Sequence, residues 1–79
     1  MARITDFDRI TKERARIHDV VDCTYCSLDA DDGKRYFLLD TYGSKSREMP
    51  DKVSQTIQLD KEAAAQLISI LRETFPGLR

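Results

Sequence analysis

Basic and aromatic side chains recur in this chain in a combination that suits recognition of a nucleic acid. Lysine and arginine neutralise phosphates, and a tyrosine ring can stack on an unpaired base. The candidate nucleic-acid-binding residues are Arg14, Arg16, Lys34, Arg35, Tyr36, Tyr42, Lys45, Arg47 and Lys52. These residue types predict binding rather than catalysis.

Cys23 and Cys26 have the spacing of a redox pair or of half a zinc site. A redox pair of this type gains its reactivity at a helix N-terminus, whereas these cysteines fall in a predicted strand, three positions apart and facing opposite sides. A structural zinc site needs four ligands, and the chain has two Cys and one His. We therefore expect no metal and no cofactor, and we interpret both cysteines as small, buried or half-buried strand residues.

Other catalytic patterns are incomplete. His18 is followed by Asp19, but no serine or cysteine is placed by the sequence as its nucleophile, so we interpret it as a surface histidine. Asp29, Asp31 and Asp32 alternate as in a calcium loop, without that loop's glycine and glutamate at the required spacing. The three glycines are isolated and form no phosphate-binding loop. We predict that the protein is not an enzyme and has no catalytic residues.

Size and composition indicate one soluble domain, residues 1–79, with 34% charged and 41% hydrophobic residues. The net charge of −1 argues against strong general binding of nucleic acid, although residues 34–58 carry five basic and three acidic side chains. A mixed, solvated surface is the simpler interpretation of these charges. A second copy of the chain would help to close so small a core, so we expect a homodimer.

The same composition bears on location. No apolar run approaches the ~20 residues of a membrane span, so no membrane contact is expected. Two cysteines and the lack of an apolar leader core predict a reducing cytoplasm.

Residues 53–75 predict a strand followed by a capped helix. Val53 to Leu59 alternate apolar and polar residues, which is the period of a half-buried strand. Asp60 then has the character of a helix N-cap, and apolar residues recur at helical spacing as far as Phe75, before Pro76. We predict a helix over 60–75.

Residues 14–59 predict antiparallel strands. A two-residue period from Ala15 indicates a long strand, with a bulge near residues 19–20. Turn residues at 29–33 precede a return strand, Tyr36 to Tyr42. A loop with an odd number of residues would pair Tyr25 with Phe37 and Cys23 with Leu39. Residues 43–52 are polar, contain Gly and Pro, and predict a long loop that has a role in recognition.

The predicted fold is α+β: an antiparallel sheet of three or four strands, forming a meander, with one C-terminal helix packed on one face. Residues 1–13 form either an N-terminal arm packed on the sheet or a short helix. Tyr36, Leu38 and Tyr42 share the sheet face opposite Phe37 and Leu39. If the helix covers the Phe37 face, then Tyr36, Leu38 and Tyr42 form an outward surface for unpaired bases or, equally, for a protein partner.

Residues 36–71 resemble the single-stranded-DNA-binding domain of positive-cofactor-four-type transcriptional coactivators. The resemblance lies in Ile57, Leu59, Glu62, Gln66 and Leu67 at the strand–helix junction, and in a basic loop with Pro50 and Lys52. It implies a curved antiparallel sheet, a dimer formed through the helix, and single-stranded DNA as the ligand.

Almost the whole chain also resembles a small, uncharacterised bacterial family whose members are sometimes labelled methionyl-tRNA formyltransferase. The matching blocks begin at Ile4-Thr5-Asp6-Phe7, Ile10-Thr11-Lys12-Glu13, Asp40-Thr41-Tyr42-Gly43 and Ser54-Gln55-Thr56-Ile57. The residues do not support that label, because formyl transfer needs a folate pocket and an acid–base set, and 79 residues with one His and no Asn supply neither. The sequence thus predicts a non-catalytic module for single-stranded DNA or RNA; the alternative is a protein-interaction or dimerisation module with no nucleic-acid ligand.

Overall fold

The computed structural model describes residues 1–43 and 52–79. Its elements in chain order are β1 (Ala2–Ile4), β2 (Cys23–Asp29), β3 (Arg35–Tyr42), β4 (Val53–Leu59) and α1 (Lys61–Thr74). Lys45, Arg47 and most of the predicted recognition loop lie outside the described residues.

The strands form one sheet in the order β1-β4-β3-β2. Strands β2, β3 and β4 make the predicted antiparallel meander, and α1 packs on one face, so the α+β fold class is confirmed. Strand β1 was not predicted: it joins the free edge of β4 in parallel, with Ala2 opposite Ile57 and Ile4 opposite Leu59. The N-terminal residues are thus neither a helix nor wholly irregular.

The β2–β3 hairpin closes around a three-residue loop, 31–33. The N–H of Ala30 donates to the carbonyl of Lys34 at 2.9 Å, and Gly33 takes the left-handed conformation that such loops require (φ +80°). The predicted register was wrong by two residues, because Tyr25 lies opposite Leu39. A shift of two keeps every side chain on its predicted face, and the Tyr25 ring still stacks on Phe37 with centroids 6.0 Å apart.

The predicted long strand from Ala15 was also wrong. Residues 5–22 belong to no strand or helix and, apart from Phe7, are exposed. Strand β2 begins only at Cys23 because its partner β3 ends at Tyr42, whose N–H donates to the carbonyl of Asp22 at 3.1 Å. No bulge forms near residues 19–20; the irregular step in the ladder lies at Thr41 and Tyr42 against β4.

Helix α1 begins as predicted. The Asp60 carboxylate accepts the N–H of Ala63 at 2.8 Å, and the N–H of Phe75 donates to the carbonyl of Leu71 at the other end. Across the described residues, the buried apolar side chains are those of Leu59 and Ala63, where α1 meets the sheet. The core is therefore very small.

Both cysteines are exposed, which corrects the expectation that they are buried or half-buried. They belong to β2, the edge strand, and α1 makes its main contacts with β3 and β4 instead. No helix in the described part of the chain is long and apolar enough to cross a bilayer.

Candidate nucleic-acid interface

The sheet has two distinct faces. Leu59 packs with α1 on what we call the helix-side face, which also carries Phe37, Leu39 and Ile57 through the cross-strand register. The opposite surface, here the outward face, carries Tyr36, Leu38 and Tyr42 as predicted; all three are half-buried. Arg3 joins them, because β1 pairs it with Gln58, which in turn lies opposite Leu38.

The centre of this surface is a contact between Arg3 and Tyr36. The guanidinium carbon lies 5.5 Å from the ring centroid, and Nη1 donates to the phenolic oxygen at 3.5 Å. The Tyr36 hydroxyl is in turn 3.4 Å from Oδ2 of Asp32, to which it donates. A cation is thus held against an aromatic ring on a face that α1 does not cover.

Sequence reasoning missed Arg3. Its position depends on the parallel pairing of a three-residue strand with β4, and three residues are too short for a periodic signal. Only the alternation of Ala2, Arg3 and Ile4 could have pointed to it.

Tyr42 lies at the far end of β3. Its hydroxyl and the Thr24 hydroxyl are hydrogen-bonded at 3.0 Å, which fixes the ring beside the edge strand. Tyr42 lies six positions after Tyr36, which is about 20 Å along the strand. Between them, Asp40 accepts a hydrogen bond from the Thr56 hydroxyl and places a carboxylate on the same face.

A cleft of about 610 Å³ opens at the end of the sheet where β3 begins and α1 starts. Four of its lining residues are cations, namely Arg3, Lys34, Arg35 and Lys61. Tyr36 and Phe37 also line it, as do Asp60 and Glu62. Asp60 is occupied in capping α1, and Arg35 lies 3.5 Å from Asp29 in an exposed ion pair. The cleft is therefore basic, but only moderately.

The predicted site residues do not all come together. Lys34, Arg35 and Tyr36 lie around the cleft, although Arg35 shares the strand face of Phe37 rather than that of Tyr36. Arg14 and Arg16 lie exposed in the unpaired segment, and Lys52 is exposed beside the start of β4, at the other end of the sheet. Lys45 and Arg47 are not among the described residues.

The two cysteines lie three positions apart in β2, so their side chains point to opposite faces. The described ranges, 1–43 and 52–79, contain no group of three or more His, Cys, Asp or Glu side chains able to hold a metal ion.

No known protein family, curated protein or solved structure matches this chain. The outward face and the cleft are therefore the features of the molecule that indicate a function.

Proposed function

We propose that the protein is a non-catalytic module that binds single-stranded DNA or RNA through the outward face. The observation that carries the proposal is the Arg3–Tyr36 contact on a surface that α1 leaves uncovered. An aromatic ring for base stacking beside a cation for a phosphate is the combination that single-strand binders use. The resemblance of residues 36–71 to a single-stranded-DNA-binding domain favours the same ligand.

In this proposal the cleft supplies the phosphate contacts. Arg3, Lys34 and Lys61 line it next to Tyr36, and none of these three is in an ion pair among the described residues. Tyr42, farther along β3, offers a second stacking position. The salt slope is the change in the logarithm of the binding constant with the logarithm of the salt concentration. Three phosphate contacts predict a salt slope of only about −2, which suits a chain whose net charge is −1.

A second candidate is a protein-interaction or dimerisation module without a nucleic-acid ligand. The small number of buried apolar residues favours this second candidate. We propose a homodimer for both candidate functions.

We also propose a cytoplasmic location, because Cys23 and Cys26 are exposed free thiols, which persist in reducing compartments.

Fluorescence anisotropy with a labelled, mixed-sequence single-stranded oligonucleotide tests the first candidate. Tyr36→Ala should weaken binding about 5- to 100-fold through the loss of one stacked base. Tyr36→Phe keeps the ring and removes only the hydroxyl, so it should bind nearly as well as the wild type.

Arg3→Ala should reduce the magnitude of the salt slope by about 0.7, because one phosphate contact is lost. Arg9→Ala is the matched control: it removes the same charge from the segment that lies beside α1. Absence of binding at low salt, or equal losses in Tyr36→Ala and Tyr36→Phe, would contradict the proposal. A duplex that binds better than the single strand would contradict it too, since paired bases cannot stack on the ring.

A further inference from the structure

Strand β2 forms one edge of the sheet, and no described strand pairs with its outer side. The opposite edge, β1, is only three residues long and carries Arg3, and both features discourage pairing with a further strand. All seven residues of β2 are exposed, and none is Lys, Arg or Pro. Its register with β3 has no bulge, and its one charged residue, Asp29, is the last of the strand. Strand β2 therefore lacks most of the features that protect a sheet edge.

The hydrogen bonds of the β2–β3 hairpin show which backbone groups of β2 lie along this edge. The N–H of Tyr42 donates to the carbonyl of Asp22 at 3.1 Å, and the N–H of Ala30 donates to the carbonyl of Lys34 at 2.9 Å. Alternate residues bond to the partner strand in an antiparallel ladder, so the even-numbered residues of β2 bond to β3. The N–H and carbonyl groups of the odd-numbered residues therefore point away from the sheet. These residues are Cys23, Tyr25, Ser27 and Asp29.

Such a row of donors and acceptors matches the backbone of an added strand, which presents its own groups at the same alternate spacing. Tyr25 lies in the middle of this edge and is 78% exposed, although its ring stacks on Phe37. An apolar side chain opposite Tyr25 would cover more of the ring and add a cross-strand contact. The edge thus suits an extended segment that contains apolar residues.

The charge around β2 determines which extended segment fits best. Residues 17–33 contain five Asp and no Lys or Arg. Asp22 immediately precedes β2 and Asp31 follows it closely, whereas Asp29 already forms an ion pair with Arg35. These carboxylates would attract a basic segment and repel a nucleic acid. They also disfavour a second β2, because antiparallel pairing would bring Asp22 of one copy near Asp29 of the other.

We propose that the edge of β2 binds an extended basic segment of a partner polypeptide, which joins the sheet as a fifth strand. Main-chain hydrogen bonds would supply affinity, while the carboxylates and Tyr25 would determine the preferred side chains. The contact goes beyond nucleic-acid binding, because its ligand is a polypeptide and its site is the edge of the sheet rather than the outward face.

Amide hydrogen exchange measured by NMR tests the contact, with an acetylated peptide of alternating lysine and valine, as long as β2, as the probe. In the free protein the amides of Tyr25 and Ser27 should exchange much faster than that of Cys26, which bonds to Leu38. The peptide should slow exchange at Tyr25 and Ser27 at least ~10-fold. Unchanged exchange would overturn the proposal. Protection of these two amides that grows with protein concentration would overturn it too, because a second copy would then occupy the edge.

Ser27→Pro removes one of the N–H groups that point off the edge, and the ring keeps an added strand at a distance. It should raise the dissociation constant of the lysine–valine peptide at least ~10-fold. Ser27→Ala is the matched control: it keeps the N–H and should bind the peptide as the wild type does. Equal binding by the proline variant would contradict strand addition.

Two altered peptides decide the outcome even if Ser27→Pro fails to fold. In the first, glutamate replaces lysine; in the second, every backbone nitrogen is methylated, so that the side chains remain and the N–H groups are lost. Each should bind the wild type at least ~10-fold more weakly than the original peptide. Equal binding of the glutamate peptide would overturn the preference for a basic segment. Equal binding of the methylated peptide would overturn main-chain pairing at the edge.

Discussion

At the scale of single residues, Asp60 joins the sheet to the helix. It follows the last residue of β4, and its extended backbone (ψ 178°) allows the carboxylate to turn back to the N–H of Ala63. The bond satisfies one of the free N–H groups of the first turn, and the negative charge suits the positive end of the helix. With so few buried apolar residues, a single polar contact of this kind is a sizeable part of the stability.

Asp60→Ala should lower the free energy of unfolding by about 1 kcal/mol, because the cap is lost. For a domain of this size that corresponds to a fall of roughly 4–8 °C in Tm, measured by circular dichroism at fixed protein concentration. Asp60→Asn keeps an acceptor at the same position and should lose much less. If Asp60→Ala melts at the wild-type temperature, the carboxylate does not stabilise the helix.

Arg3 and Tyr36 define the candidate site at this scale. Tyr36 could be proposed from the sequence because its alternation with Phe37 places it on the face away from the helix. Arg3 could not, since its neighbour is set by long-range pairing with β4. The central contact of the site thus contains one residue that the sequence indicates and one that only the fold reveals.

At the scale of elements, sequence patterns predicted the structure correctly where the stabilising contacts are between residues close together in the chain. The strand–cap–helix unit of residues 53–75 was predicted nearly to its ends, because capping and periodicity are local. The strand predicted at residues 15–22 does not form, because alternating apolar and polar residues make a strand only where another strand pairs with them. Strand β3 ends at Tyr42, so the alternating residues before Cys23 have nothing with which to pair.

The turn between β2 and β3 sets the register of the hairpin. The apolar pattern fixes which face each residue occupies, but a shift of two residues leaves that pattern unchanged. Only the position of the left-handed Gly33 distinguishes the two registers. The faces of Tyr36 and Tyr42 on β3 were therefore predictable, and their cross-strand partners in β2 were not.

Gly33→Ala should cost about 1–2 kcal/mol, measured as a lower denaturation midpoint, because alanine disfavours a φ of +80°. An added Cβ would meet nothing within 4 Å, so the cost is conformational rather than steric. Gly33→Asn should recover part of the loss. Gly77→Ala adds the same Cβ at φ +91°, beyond the end of α1, and should cost less since chain ends rearrange easily. Equal losses at the two glycines would contradict a special role for the hairpin turn.

At the scale of the whole molecule, the outward face and helix α1 lie on opposite sides of the sheet. The outward face carries Arg3, Tyr36 and Tyr42, whereas α1 packs on the helix-side face. A homodimer that does not use the outward face would leave both copies of that face free. Two linked faces could then hold one strand more tightly than either alone, if the strand is long enough to reach both.

Amide chemical shifts in ¹⁵N-labelled protein test most directly whether a single strand binds at the outward face. On titration with a single-stranded oligonucleotide, the amides of Arg3, Tyr36 and Leu38 should shift progressively, while those of Ile68 and Leu71 in α1 should stay in place. Shifts confined to α1, or no shifts at low salt, would contradict binding at the outward face.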